Sequence, residues 1–477
     1  MTTPALRVAQ EEWRLMRRDR VAAIGLLLVL LLATVAAITS WSAWQQAHTE
    51  RQRHQARVNA EFQAQPDRHP HRMVHYGHFV FRPLNPLAAF DSGIDAYTGH
   101  TLFLEGHRQN SANFGDVRQS SLLLRFGQLT PAFVLQVLAP LLLVFLGHAA
   151  VARERESGTL RLLLAQGVRP AHLLLGKLLA LLGPLLLLLL PASIALTAMV
   201  AIGGAAPGPA LALLGGHALG LLAWALVVVA ASTAFPRARD ALLALLAAWV
   251  FAVVLVPRLA AERAAHTHAL TPRAESEVTV ARELAAIGNS HNPDDPHFSA
   301  FRARVLAEYG VSRVEDLPVN YKGLVGMEGE RLTSELFDRH ARAAFEQQAR
   351  QSDAMDGFAW LSPALALRRL SMAAAGTDLD SHRRFLEQGE AHRYELVQAL
   401  NQIQVDHIGY ADDRNPDKQN RVDHAHWHDL PDFVHEPRPW AETRRGIAQA
   451  TGLLSLWLGA AVAALVLATR RLERTVR

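Results

Sequence analysis

The sequence has no cysteine among its 477 residues, which excludes disulfides, thiolate metal centres and cysteine nucleophiles. It also lacks the Gly-x-x-x-x-Gly-Lys-Ser/Thr loop whose backbone cradles nucleotide phosphates: Gly176-Lys177 has no earlier glycine at the required position and is followed by leucine. No block combines clustered basic residues with interleaved aromatics, so nothing points to nucleic acid as a partner. A His-Glu-x-x-His metal motif, an internal repeat and a long low-complexity tract outside the apolar runs are likewise missing. Charge is scarce: Asp, Glu, Lys and Arg make up 19% of the chain, against 50% hydrophobic residues.

What is present is a set of Leu- and Ala-rich runs, each about as long as the roughly 20 residues a helix needs to cross a hydrocarbon core. Six are read, at 21–43, 131–151, 173–201, 210–234, 241–257 and 447–469, the fifth being the shortest. The first is too long for a signal-peptide core and has no convincing cleavage site, so it is expected to stay as an anchor. The expected fold is an all-α membrane protein of six transmembrane helices. Arginine orients them: clusters precede the first span, separate the second from the third and the fourth from the fifth, and follow the sixth. With six crossings all four clusters share one side, which makes that side cytoplasmic, with both termini inside.

The polar segments then sort by side. Residues 1–20 are expected to form an amphipathic elbow helix, with Leu6, Ala9, Trp13 and Met16 on one face and Arg7, Gln10, Glu11, Arg14, Arg17 and Arg18 on the other. The loop 152–172 is cytoplasmic, and so is the tail 470–477. Residues 44–130 and 258–446 face outward and are expected to build a mostly helical extracytoplasmic domain. There "DDPHFSAFRARVLAEYG" predicts a helix capped by Asp294 or Asp295, with Pro296 in its first turn and Gly310 at its end. Further helical patterns run through about 327–350, 363–375 and 379–404, the last capped by Thr377 or Asp378.

The loop "VARERESGTLRLLLAQGVRPAHLLLGK" breaks the most apolar part of the chain. Ser157 or Thr159 is the expected N-cap of a two-turn helix that Gly167 closes. Such a helix, joined tightly to two spans, could pass a push from a soluble partner into the bundle. It could equally be an interfacial turn with snorkelling Arg and Lys177 side chains.

These residues resemble the ABC-2 type permeases, the membrane subunits of ATP-driven transporters. The match lies in Glu154 or Glu156, Gly158-Thr159-Leu160, Leu163-Leu164 and Gly176-Lys177. The resemblance implies that Glu154, Glu156, Gly158, Thr159, Leu160, Leu163 and Leu164 belong to a coupling helix. In that family the helix docks on a separate nucleotide-binding ATPase subunit, which holds ATP and Mg. It further implies a second permease, identical or a sister chain, in the bacterial cytoplasmic membrane, export as the usual direction, and no catalytic residue or bound cofactor in this chain. "LPVNYKGL" at 317–324 and Pro363, Ser371 and Gly376-Thr377-Asp378 resemble the extracytoplasmic domain of unknown function that some of these permeases insert between spans five and six. Such a domain could gate the exit or dock a periplasmic component.

Twenty of the 23 histidines lie in the two outward segments. His71, His75 and His78 would align on a helix, and His424, His426 and His428 on an extended chain, so either set could hold zinc, copper or nickel. Solvated surface histidine is the plainer reading. His148, inside the second span, is a candidate because ionisable groups in spans usually face a bundle interior. Pro140, Pro184 and Pro191 are candidate kinks in spans two and three. A second reading of the whole chain stays open: a receptor or metal-binding scaffold in membrane lipid that works through its outer histidines.

Overall fold

The apolar runs become six membrane-length helices in the computed structural model, which describes residues 3–115, 128–288, 292, 294–413, 415 and 420–474. The outermost parts of the elbow and tail, 1–2 and 475–477, and part of the first outward segment, 116–127, lie outside those residues. An N-terminal helix α1 (Pro4–Arg18) leads through Asp19, whose carboxylate caps the next helix, into α2 (Arg20–Gln63). At about 1.5 Å per residue, the 44 residues of α2 are twice what a membrane requires. Its second half is the stalk of a polar domain.

The second span, α3, covers 131–147 and the fifth, α7, is Ala238–Thr267; the third, fourth and sixth are α5 (Pro170–Ala201), α6 (Pro207–Ala234) and α8 (Trp440–Arg474). Between α3 and α5 lies α4, two short pieces at Ala152–Glu156 and Thr159–Ala165. The fifth span was expected to be the shortest. Its apolar run is short, but the helix continues past Arg258 into the polar domain. Spans two and five each contain a π-helical segment, Val134–Leu138 and Val250–Leu255. Each ends two residues before a proline, Pro140 or Pro257. A proline offers no N–H and crowds the carbonyl four residues back, and the widened π turn absorbs both effects. Trp249 Nε1 donates to the Val137 carbonyl at 3.1 Å, so the residue just ahead of one π segment bonds into the other. Pro184 and Pro191, by contrast, lie within an uninterrupted α-helix.

The polar domain is mostly helical: α9 (Pro296–Tyr309), α10 (Tyr321–Gly357), α11 (Pro363–Ala375) and α12 (Leu379–His407) are its main members. Asp295 caps α9, Ser362 caps α11 and Asp378 caps α12, each accepting backbone N–H groups of the first turn. An antiparallel pair, β1 (His78–Phe81) with β2 (Thr101–Leu104), was not expected from the sequence. Helix α11 does not stay with the rest of the domain. It packs against spans four and six, where Gly216 and Gly220 present a small-residue stripe to Leu370 and Leu367. Below it the Ser362 hydroxyl donates to Ala252 O of span five at 2.5 Å, and Trp457 of span six donates to Ala359 O at 3.1 Å.

One charged cluster holds the domain's interior. Arg393 of α12, 1% exposed, binds Glu330 and Glu390 and donates to Ser334 Oγ at 2.7 Å. Burial alone would raise the Glu330 carboxyl, but the hydrogen bond from His107 and the Arg393 guanidinium outweigh it and hold it at about 2.

At the opposite, arginine-rich end, α1 lies along the start of span three. Its inward stripe is Ala5, Val8, Ala9, Glu12, Trp13 and Met16; Leu6, expected to share it, is exposed. A Cβ at Gly176 would sit 2.5 Å from Val8 Cβ and 2.7 Å from the Ala5 carbonyl, so glycine is what admits the helix. Overpacking of this kind costs about 1–3 kcal/mol. Gly176→Val is therefore expected to release α1 while the spans stay folded. Limited trypsinolysis in micelles should show faster cleavage at Arg14, Arg17 and Arg18 than in the native chain, and equal rates would contradict the docking.

Candidate functional site

At the end of span two the chain has to leave the bundle, turn, and re-enter as span three. The Ser232 hydroxyl of span four starts the turn by accepting the Val151 and Ala152 N–H groups at 2.9 and 3.2 Å. Gly158 then takes the left-handed conformation, φ 76, and becomes the N-cap position of the second piece of α4, with Gly167 at φ 85 beyond its end. The expected caps behave otherwise: the Ser157 and Thr159 hydroxyls share one hydrogen bond at 2.8 Å, and the one that accepts it donates back to the Glu154 carbonyl.

Three consecutive residues join this segment to the helices around it. Glu154 reaches Lys177 of span three, which also donates to Glu12 of α1 at 2.7 Å. Arg155 donates to the Thr233 and Phe235 carbonyls, at 2.9 and 3.2 Å, where span four runs out of intrahelical partners. Glu156 accepts the Ala238 N–H at 3.1 Å, satisfying a free donor at the start of span five. The ties therefore reach α1 and spans three, four and five.

Lys177 is 1% exposed, so its charge is stable only because two carboxylates face it. Glu12 is the one carboxylate of α1 turned inward, and it escaped the sequence reading because a charge on an amphipathic helix usually marks the solvated face. Lys177, Arg155 and Ser232 also gain their roles from distant partners, and no local motif announces them.

The α4 surface is divided. Leu160 is buried, and Leu163 and Leu164 pack on the bundle core, so these three of the sequence candidates point inward, as Glu154 does. Glu156, Gly158 and Thr159 lie on the exposed turn, beside Arg161 and Leu162, the latter 63% exposed. A cleft of about 1100 Å³ opens next to it, between Leu160 and Leu164 of α4, Val227 and Ala231 of span four, and Leu467 and Arg471 of span six.

The histidine candidates are only partly brought together. His71 and His75 share one face of a short helix, Pro70–Tyr76, with Nε2 atoms 3.2 Å apart. His78 does not join them: the helix ends at Tyr76, Gly77 turns at φ 72, and His78 starts β1 facing Asn59 Oδ1 at 3.0 Å. Burial pushes its imidazole down to about 4, so it is neutral. The second set lies on a 3-10 turn, His424–Trp427, and not on an extended strand, so its members diverge. His424 bonds Asp67 at 3.0 Å and His426 lies tilted against His407 with centroids 4.5 Å apart, while His428 follows the turn. His148 bonds the Phe145 carbonyl of its own helix at 3.0 Å. The buried intramembrane histidine is instead His217 of span four, held by the Leu213 carbonyl at 2.7 Å and Gln136 of span two at 3.2 Å.

Removing the cation from a buried ion cluster leaves carboxylates without compensation and costs about 3–5 kcal/mol, whereas replacing the whole cluster by neutral groups is often near neutral. Lys177→Met should therefore lower the apparent unfolding temperature in micelles, and Glu12→Gln/Glu154→Gln/Lys177→Met should recover most of that loss. A triple variant no more stable than Lys177→Met would show that the three groups do not act as one unit.

Two family models match the chain in succession. That of the ABC-2 family transporter proteins covers residues 109–263, taking in spans two to five, and that of a domain of unknown function (DUF3526) covers 253–436, the segment before span six. No curated protein matches the chain significantly. The chain is thus a multi-pass membrane protein that contains an ABC-2 family transporter segment, followed by a domain of unknown function.

Proposed function

We propose that this chain is the permease subunit of an ATP-driven exporter, and that α4 is the helix through which a separate nucleotide-binding ATPase drives it. One observation carries the reading: Glu154, Arg155 and Glu156 fasten the α4 segment to α1 and to spans three, four and five at once. A push on the exposed turn would be delivered to four helices together. The partner would touch Gly158, Thr159, Arg161 and Leu162, which face away from the bundle, while Leu160, Leu163 and Leu164 transmit the load inward. ATP and Mg would be bound by that partner.

Arginine distribution supports placing α4 and both termini in the cytoplasm of a bacterial cell, with the polar domain on the outer side of the inner membrane. A second permease, identical or related, would cover span one or five, whose most apolar windows are only 17% and 11% buried within this chain. Side chains such as Leu27 and Leu31 on span one and Phe251 and Val254 on span five are exposed there. The cleft beside α4 opens towards spans four and six and would suit an apolar or amphipathic cargo entering from the inner leaflet. Export as the direction follows the family's usual behaviour, and the polar domain would act at the exit.

Affinity purification from gently solubilised membranes tests the partner. An ATPase subunit should accompany the native chain and fall at least tenfold in Arg161→Glu/Leu162→Glu. Those two side chains are exposed, so the variant should keep its native melting temperature. A native chain that emerges alone under several mild detergents would remove the support for coupling through α4.

A further inference from the structure

The polar domain brings together three imidazoles from two separate segments. His71 and His75 come from the helix Pro70–Tyr76, and His107 from the loop after β2. One potential ligand atom from each lies within 4.8 Å of the other two. The ring centroids of His107 stand 6.0 Å from His71 and 5.5 Å from His75.

The chemistry of His107 is set by what lies behind it. Its Nδ1 is 3.2 Å from Glu330 Oε2, and the same oxygen accepts its backbone N–H at 3.0 Å. A carboxylate that also serves Arg393 is ionised and only accepts, so the ring proton sits on Nδ1. In the neutral imidazole Nε2 then carries the lone pair. That atom is buried and has no hydrogen-bond partner among the described residues. The backbone at His107 is held in the left-handed region, φ 63, which a non-glycine residue adopts only when its surroundings impose it.

A carboxylate on Nδ1, a bare Nε2 and neighbouring imidazole nitrogens make the arrangement by which proteins orient a histidine towards a metal ion. The 3.2 Å between the Nε2 atoms of His71 and His75 is close to the spacing of about 3.3 Å that two nitrogens take around a tetrahedral zinc with bonds of about 2.0–2.1 Å. His107, whose ligand atom lies within 4.8 Å of the other two, would have to approach to complete the set. We propose that His71, His75 and His107 form a binding site for an imidazole-preferring divalent metal ion, zinc or copper(II), with Glu330 as the positioning residue. Three nitrogen ligands leave a fourth position open, so the site suits an exchangeable ion better than a closed structural one.

The site corrects the grouping expected from spacing, in which His78 stood where His107 stands. It does not rest on the transport reading, since a receptor or a permease could carry it. It also joins distant parts of the polar domain, because Glu330 belongs to α10 and binds Arg393 of α12.

The full-length protein in detergent, stripped with a chelator and titrated with zinc chloride by calorimetry, should bind one equivalent. His75→Gln and His107→Asn should each weaken binding at least tenfold. His75 is exposed, so its loss leaves the fold intact, and asparagine tolerates the left-handed backbone at 107. Glu330→Gln should weaken binding about tenfold or more with the stoichiometry unchanged. With copper(II), electron paramagnetic resonance should show nitrogen hyperfine structure that His75→Gln alters. The triple variant His424→Gln/His426→Gln/His428→Gln should bind like the native chain. Absence of zinc and copper binding by the native protein, or binding that survives His75→Gln and His107→Asn but is lost in the triple variant, would overturn the proposal.

Discussion

A single lysine at the arginine-rich end holds three parts of the chain together. Lys177 is almost wholly buried, and its ammonium is shared by Glu12 and Glu154, residues 165 and 23 positions away. Apolar contacts could bring α1 and span three together in many registers, because burial of hydrophobic area has no direction. A buried cation accepts few arrangements, since each lost partner leaves a desolvated charge. The cluster therefore selects one seating of α1 and one path for the chain out of span two. The close approach of α1 over Gly176 then follows, since that glycine is the residue next to Lys177. Arg155 and Glu156 extend the same principle to spans four and five, using the backbone groups that helix ends leave unsatisfied.

The polar domain repeats this plan at the other end of the molecule. Arg393 stands between Glu330 and Glu390 much as Lys177 stands between its carboxylates, but with a guanidinium that can serve several acceptors at once. Around it the apolar support is thin: one small core of Val80, Leu102, Leu104 and Phe385 and another centred on Phe62, Met73, Leu400 and Trp427. A domain with small cores relies more on directional polar contacts for its unique arrangement. The histidines gather where those contacts are densest, since Glu330 faces Arg393 on one side and His107 on the other.

Much of the fold was legible in the residues because the signals were local. A run of about twenty apolar residues has one stable form in a membrane, so all six spans could be read directly. The same holds for Asp295, Asp378 and the proline and glycine that bracket α9, whose meaning depends on neighbours within a single turn. The site was legible only in outline. The segment 152–165 was identified, but Glu154 and the leucines face the bundle, and the outward surface belongs to Gly158, Thr159, Arg161 and Leu162. Glu12 was hidden because its partner lies across a distance that no periodicity records. His78 was grouped with His71 and His75 on an assumed continuous helix, and Gly77 ends that continuity. Leu6 failed for a related reason: a stripe of Ala5, Val8, Glu12 and Met16 differs from one starting at Leu6 by a single residue of rotation.

Polar clusters fix both ends of the bundle, so any displacement between those ends has to be absorbed between them. Spans three and four are continuous α-helices there, with every turn hydrogen-bonded in the ordinary pattern except at prolines. Spans two and five are not, since each carries a π segment placed just ahead of a proline. A π turn has already given up the regular hydrogen-bond ladder, so bending there sacrifices less than bending an intact α turn. Trp249, the residue that leads into the second segment, bonds the Val137 carbonyl within the first, so the two bends are linked. Span five also contacts the polar domain there, where Ser362 bonds Ala252 O inside the π segment. The arginine-rich end grips span five through Glu156, and the polar domain grips it through Ser362. The π segment of that helix lies at the second grip, so a displacement of either end of span five would be taken up there.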